Sequence, residues 1–169
     1  MKQLTHYDIQ NNREKFPITI VCDTIRTPEN IGMCFRVAES FGVSKIYLHE
    51  SSPSVENKIV KRTARNTVNQ IDHEVYTNFD ELIDQLKGEE NTVIGIEITD
   101  KSIPIQQFDF SKHKKIALLL GSERNGIQNT STLDSTIAIP MYGRNSSINV
   151  VHSMTIALYE ATNQIKNIN

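Results

Sequence analysis

Between residues 118 and 151 the chain carries two loops rich in glycine, amide and hydroxyl side chains. Gly121-Ser122-Glu123-Arg124-Asn125-Gly126 follows the apolar run Leu118-Leu119-Leu120. Pro140-Met141-Tyr142-Gly143-Arg144-Asn145-Ser146-Ser147-Ile148-Asn149 follows Ile137-Ala138-Ile139. Glycine lets a backbone approach a ligand closely, and the N–H and C=O groups of such loops can read the polar edges of a small molecule. Two loops side by side at the ends of parallel strands make a cofactor crevice. Glu123 is an unusual choice for a turn, where Asn, Asp, Ser and Gly prevail. It is expected to hydrogen-bond a ligand or to hold the loop. The sequence has no Walker A loop, no GxGxxG fingerprint, no GxSxG elbow and no clustered metal ligands. A nicotinamide-type oxidoreductase therefore lacks its signature here, and no metal is expected.

Other side chains could serve such a crevice. Ile31, Cys34, Phe35 and Ala38 recur at helical spacing and are expected to face the core. Arg36 then stands about 150° from that stripe, at about 100° per residue, and points toward solvent or a site. Spacing alone leaves both open. Asn30 opens the same helix, where an N-cap role is the ordinary one. Lys58, Lys61, Arg62 and Arg65 place four cations within eight residues on one side of an expected helix. That patch suits phosphates or is simply a solvated face. His152, one turn after Asn149, reads as a packing or capping residue.

The elements that must position these residues alternate. Strands are expected at 18–22, 45–48, 71–76, 92–97, 115–120 and 137–139. Helices are expected from 27–30 to about 41 with Gly42 as the stop, at 55–66, at 80–86 ending at Gly88, and from 149 to about 165. The last helix has apolar residues at 150, 151, 154, 157, 158, 161 and 165, the helical period. Strands alternating with helices give an α/β fold with a mostly parallel sheet flanked by helices. Residues 1–16 read as a polar N-terminal arm or short peripheral helix, and residues 17–169 as one domain. Tyr47, Tyr76 and Tyr159 read as packing residues. A net charge of −2 supplies no global basic field, so any polyanion site is a local patch. Cys22 and Cys34 are too few for a disulfide framework and read as buried, reduced thiols. No apolar run approaches membrane-spanning length and the N-terminus has no signal-type apolar segment, so a cytoplasmic protein is expected.

Asn30-Ile31-Gly32 with Arg36, then Phe41-Gly42-Val43, resembles the first motif of the SpoU (TrmH-like) RNA 2′-O-ribose methyltransferases of the SPOUT class. Leu120-Gly121-Ser122-Glu123 with Gly126 resembles the second. Ile139-Pro140-Met141, Gly143 and Ser146-Ser147-Ile148-Asn149-Val150 resemble the third. The three stand in family order and spacing over residues 17–165 or so. Val151-His152-Ser153-Met154 departs from the small residues that often follow the third motif.

The resemblance implies a C-terminal deep trefoil knot, a homodimer, and S-adenosylmethionine (AdoMet) as methyl donor. It implies that Glu97, Gly121, Ile139, Met141 and Ile148 line the cofactor. It makes Arg36 the catalytic arginine, with Asn30, Glu123, Ser147 and Asn149 as further polar site residues. The expected activity is AdoMet-dependent RNA 2′-O-methylation, with a tRNA guanosine as the first expectation. The alternatives are an rRNA target, or a non-catalytic RNA-binding or assembly factor that keeps the fold. RNA is the expected partner, through Lys58, Lys61, Arg62 and Arg65; no DNA or membrane partner is expected. Longer relatives add an RNA-binding domain or basic extensions, where this chain shows a short arm and ends soon after the last helix.

Overall fold

A computed structural model describes residues 2–4, 8 and 14–167. Most of the expected arm lies outside the described residues. Its end, Phe16, donates its backbone N–H to the Gly42 carbonyl at 2.8 Å, which ties it beneath the first helix.

Seven parallel strands form one sheet: β1 (Ile18–Cys22), β2 (Lys45–His49), β3 (Asp72–Tyr76), β4 (Asn91–Ile96), β5 (Ile103–Pro104), β6 (Lys115–Leu120) and β7 (Ser135–Ala138). Their spatial order is β3-β2-β1-β6-β4-β7-β5. Four helices flank it: α1 (Pro28–Ser40), α2 (Lys58–Ala64), α3 (Phe79–Gly88) and α4 (Val150–Lys166).

Successive side chains on a strand face opposite sides, so a strand covered on both faces reads as a continuous apolar run. β1 and β6 do so. Ile18, Ile20, Cys22, Ile116, Leu118 and Leu120 join α1, α2 and α4 in the larger core cluster. Val21, Ala117 and Leu119 pack with Leu82, Ile83 and Leu86 of α3 in the smaller one. Complete burial of each such Leu or Ile is worth about 1.5–3 kcal/mol. These two adjacent central strands therefore form the floor of the sheet, and the first of the two loops springs from the C-terminal end of β6.

The expected core stripe of α1 holds: Ile31, Cys34, Phe35 and Ala38 are fully buried. Gly32 marks a close crossing. A Cβ there would lie 2.7 Å from Thr63 Cβ and 2.8 Å from the Val60 carbonyl oxygen, so α2 passes directly over α1. Arg36, one turn beyond Gly32 on the same flank, is half-buried. Gly42 has φ +64° and stops the helix as expected. On α4, Val151, Met154, Ala157, Leu158 and Ala161 are buried.

Several expectations need correction. Helix α3 ends at Gly88 as expected, though the left-handed position beyond it is Glu90, with φ 65°. The strand expected at 137–139 lies at Ser135–Ala138, because its pairing with β4 begins at Ser135 opposite Ile94. Strand β5 and the short 3-10 turns at Ile105–Gln107 and Phe110–Lys112 were not expected. Gln164 of α4 holds that region: its Oε1 accepts from the Phe110 N–H at 2.8 Å and its Nε2 donates to the Phe108 carbonyl at 3.1 Å. Tyr47 and Tyr76 are buried as expected, whereas Tyr159 is exposed on α4.

Candidate functional site

Both loops emerge from the C-terminal ends of β6 and β7, where open parallel sheets bind ligands. The first is a tight turn. Ser122 and Gly126 exchange backbone hydrogen bonds at 3.1 and 3.0 Å, and Gly126 has φ +61°. Gly121 is buried against the far side of this turn. A Cβ on it would fall 2.2 Å from the Gly126 carbonyl carbon and 2.4 Å from the Ile127 nitrogen. Only glycine fits there.

Glu97, just beyond β4, clamps the same turn. Its Oε2 accepts from the Ile127 N–H at 2.9 Å, and its Oε1 from its own neighbour Ile98 N–H at 2.9 Å. A Cβ on Gly126 would collide with this carboxylate.

Glu123 reaches away from that turn to the start of α1. Its Oε1 accepts from Asn30 Nδ2 at 2.9 Å and from the Thr27 N–H at 3.1 Å, and its Oε2 from the Arg26 N–H at 3.1 Å. Partial burial works to raise its pKa. The hydrogen bonds from Asn30, Arg26, its own N–H and Thr27 outweigh that and bring the carboxyl down to about 2. The anion also sits at the positive end of the α1 dipole.

Asn149 caps α4 by accepting the Val151 N–H at 2.8 Å, and its Nδ2 donates to Asn30 Oδ1 at 3.1 Å. Asn149, Asn30 and Glu123 thus form one hydrogen-bonded row that joins the N-termini of α1 and α4 to the loop after β6. The capping position of α1 is Thr27, and Asn30 is the third helical residue. The N-cap expectation for Asn30 is corrected: its amide is turned sideways to bridge two loops.

Beside this row lies an apolar cleft of about 100 Å³. Its walls are Ile96, Glu97, Ile98, Ile137, Ala138, Ile139, Met141, Ser147, Ile148 and Ser153. The cleft gathers Glu97, Ile139, Met141 and Ile148, together with Ser147. Gly121 is not on its wall; it packs the turn behind Glu97. Ile96, Ile98, Ile137, Ala138 and Ser153 were not expected. Ile137 and Ala138 had a signal as the run that leads into the second loop, and Ser153 as a residue one helical turn after Asn149.

Arg36 stands apart. It lies six residues along α1 from Asn30, about 9 Å of helix rise. It does not line the cleft, and its guanidinium makes no hydrogen bond or ion pair among the described residues. His152 is exposed.

The basic patch is only partly as expected. Lys58, Lys61, Arg62 and Arg65 are all exposed. Lys61, however, is ion-paired with Glu56. Arg65 lies past the end of α2 with φ 57° and ψ −123°, so it does not continue the helical face of the other three. Among the described residues every ion pair is made by a lysine. Arg26, Arg36, Arg62, Arg65, Arg124 and Arg144 are left without carboxylate partners.

Comparison with known proteins agrees with this geometry. A 23S rRNA (guanosine-2′-O-)-methyltransferase RlmB from Acinetobacter baylyi is 28% identical over 159 residues, covering 92% of this chain and 62% of that protein. A tRNA (guanosine(18)-2′-O)-methyltransferase of Escherichia coli K12 is 23% identical, covering 92% of this chain and 67% of its own length. The chain thus spans about three fifths to two thirds of the length of these relatives. The crystal structure of the SpoU methyltransferase AviRb from Streptomyces viridochromogenes, in complex with the cofactor AdoMet, superposes with a TM-score of 0.80 at 24% identity. That match covers 88% of this chain and 60% of the other. The model of the SpoU rRNA methylase family matches residues 17–159, and the chain belongs to that family.

Proposed function

We propose that the protein is an AdoMet-dependent RNA 2′-O-ribose methyltransferase. One observation carries the reading. The 139–149 segment lines the apolar cleft with Ile139, Met141, Ser147 and Ile148, and its last residue, Asn149, is bonded through Asn30 to Glu123. A ligand cleft and one polar residue from each of the three family motifs, Asn30, Glu123 and Asn149, are thereby joined in one unit.

The cleft suits part of the cofactor. Its walls are mostly aliphatic, with the Glu97 carboxylate and two serine hydroxyls as polar groups. That is the composition of a small-molecule pocket. At about 100 Å³ it seats a ring rather than the whole molecule, so backbone N–H and C=O groups of the two loops must hold the remainder. When bound, AdoMet supplies a methyl group on a sulfonium, already activated without a metal.

The chain's own residues must then align a ribose hydroxyl and remove its proton. Glu123 is unsuited to take that proton. Its carboxyl titrates near 2 and both oxygens are committed to hydrogen bonds. We assign Glu123, Asn30 and Asn149 to positioning, and Ser147 to the cleft wall facing the substrate. Arg36 cannot act as a base, since a guanidinium keeps its proton. Its unpartnered fork is free to hold the hydroxyl and a neighbouring phosphate, with the phosphate relaying the proton.

Because Arg36 does not line the cleft, we infer a homodimer in which one protomer's Arg36 completes its partner's site. We also infer the trefoil knot, with 139–149 threaded beneath the loop after β6. The strand order supports it: β6 and β7 lie on either side of β4, and the chain then returns to place α4 against α1. We take 17–169 as the catalytic domain and the cytoplasm as its location. No helix among the described residues is long and apolar enough to cross a membrane. RNA enters over Lys58, Arg62 and Arg65. The guanosine-modifying relatives favour a guanosine, with tRNA and rRNA as the two substrate classes to be compared.

Calorimetry with AdoMet in the presence of a chelator tests the cofactor. The expected result is saturable binding and a raised thermal midpoint, since a ligand selective for the folded state stabilises it. Neither heat nor stabilisation at millimolar AdoMet contradicts the reading. Sedimentation at micromolar concentration is expected to give twice the chain mass; a monomer contradicts the shared site.

A further inference from the structure

The segment between Met141 and Ser147 is anchored at both ends in the cleft wall, yet all five residues between them, Tyr142 to Ser146, are exposed. Tyr142 is 94% exposed, the most solvent-exposed of the large apolar side chains among the described residues. An added Cβ on its neighbour Gly143 would meet nothing within 4 Å, so the segment projects into open space. Arg144 follows, exposed and without a hydrogen-bond or ion-pair partner among the described residues. Leaving a whole phenol ring in water forgoes the burial energy that most tyrosines recover.

We propose that Tyr142 is a stacking platform for an unpaired base of the RNA substrate, with Arg144 holding an adjacent phosphate. This rests on the RNA methyltransferase reading. The residues that follow it, Gly143, Arg144, Asn145 and Ser146, are polar or small, so the exposed segment offers one aromatic ring and not an apolar stretch of the size that docks a protein. A lone aromatic ring beside a free guanidinium matches a nucleotide instead. The ring takes the base face and the guanidinium takes the phosphate. Single-stranded RNA is the form that offers such faces, because its bases can be splayed out and stacked on aromatic side chains. The position follows from the anchors. With Met141 and Ser147 in the cleft, a base on Tyr142 belongs to the nucleotide that enters the reaction site or to its immediate neighbour. Tyr142 is thus a determinant of single-stranded, looped substrate, and it acts beside the cofactor cleft without forming part of it.

The test uses the full chain and a short RNA hairpin carrying 2-aminopurine in its unpaired loop, with the fully paired duplex of the same stem as control. Wild type is expected to bind the hairpin more tightly than the duplex and to quench its fluorescence. Tyr142→Phe is expected to preserve both effects. Tyr142→Ala is expected to abolish the quench and weaken hairpin binding by roughly five- to hundredfold, the loss of one base–aromatic stack. Its duplex binding, AdoMet affinity and thermal midpoint are expected to stay at wild-type values. Arg144→Ala is expected to weaken binding and to lower its salt dependence while leaving the quench at saturation. Wild-type quenching and affinity in Tyr142→Ala would overturn the stacking role and leave the methyltransferase reading standing. Failure of wild type to bind either RNA would overturn both.

Discussion

Asn30 Nδ2 donates to Glu123 Oε1 at 2.9 Å across 93 residues of sequence, and this bond fastens the loop after β6 to the start of α1. The charge on Glu123 is part of the fastening. The folded-state pKa is depressed from 4.5 to about 2, so the ionised carboxylate contributes stability above pH 4.5. That contribution fades as the pH falls from 4.5 through about 2. Glu123→Gln is therefore expected to melt below wild type at pH 7, with the gap closing across this acid window. Melting curves of both proteins from pH 7 to pH 2 check it. A gap that stays constant, or none at pH 7, would remove charge from the explanation.

Asn149 has two tasks, the α4 cap and the bridge to Asn30. Asn149→Ala is expected to cost about 1–2 kcal/mol in urea unfolding, the scale of a lost cap. Asn149→Ser keeps a capping oxygen but not the amide donor, and is expected to recover part of the stability and little of the activity. Full activity in the serine variant would dismiss the bridge.

Two glycines in the two loops are expected to behave oppositely. Gly121→Ala forces a methyl carbon to 2.2 Å from the Gly126 backbone. The neighbour is itself fixed, so a loss at or above the upper end of the ~1–3 kcal/mol overpacking range is expected. Nothing lies within 4 Å of a Cβ on Gly143, and Gly143→Ala is expected to stay within about 0.5 kcal/mol of wild type. Equal stabilities in chemical denaturation would contradict the packing described for the first turn.

Cys22 and Cys34 are fully buried and reduced. The hydrogen bond with Cys34, then burial, holds the Cys22 thiol well above the usual range. Thiolate is the reactive form. Iodoacetamide at pH 8 is expected to label neither cysteine in the native protein and both in urea. Fast native labelling, read by mass spectrometry, would show that this part of the core opens.

The central strands were legible because burial on both faces leaves little but apolar residues. Thr19 is the one polar residue within β1, and β6 runs apolar from Ile116 to Leu120 behind the exposed Lys115. Strand β5 was not legible, since two residues carry no period and Gln164 secures its surroundings from 54 positions away or more. Arg65 misled because periodicity assumes that the helix continues, and the backbone turns to positive φ there. At the site, Glu123 was legible as an odd residue for a turn. What it holds was not, since the Arg26 and Thr27 N–H groups look alike in every sequence and Asn30 lies 93 residues away. Arg36 was legible as a residue turned off the core stripe, but spacing could not place it relative to the cleft.

The most direct measurement is single-turnover transfer of labelled methyl from AdoMet to bulk hypomethylated RNA, with the product mapped by resistance of the 2′-O-methylated linkage to alkali. Wild type is expected to place label at discrete ribose 2′ positions. Arg36→Ala is expected to lose turnover by at least a hundredfold with AdoMet affinity and thermal midpoint near wild type. Arg36→Lys is expected to recover little, because an ammonium cannot reproduce the planar fork. Label on bases instead of riboses, or wild-type turnover in Arg36→Ala, would contradict the account.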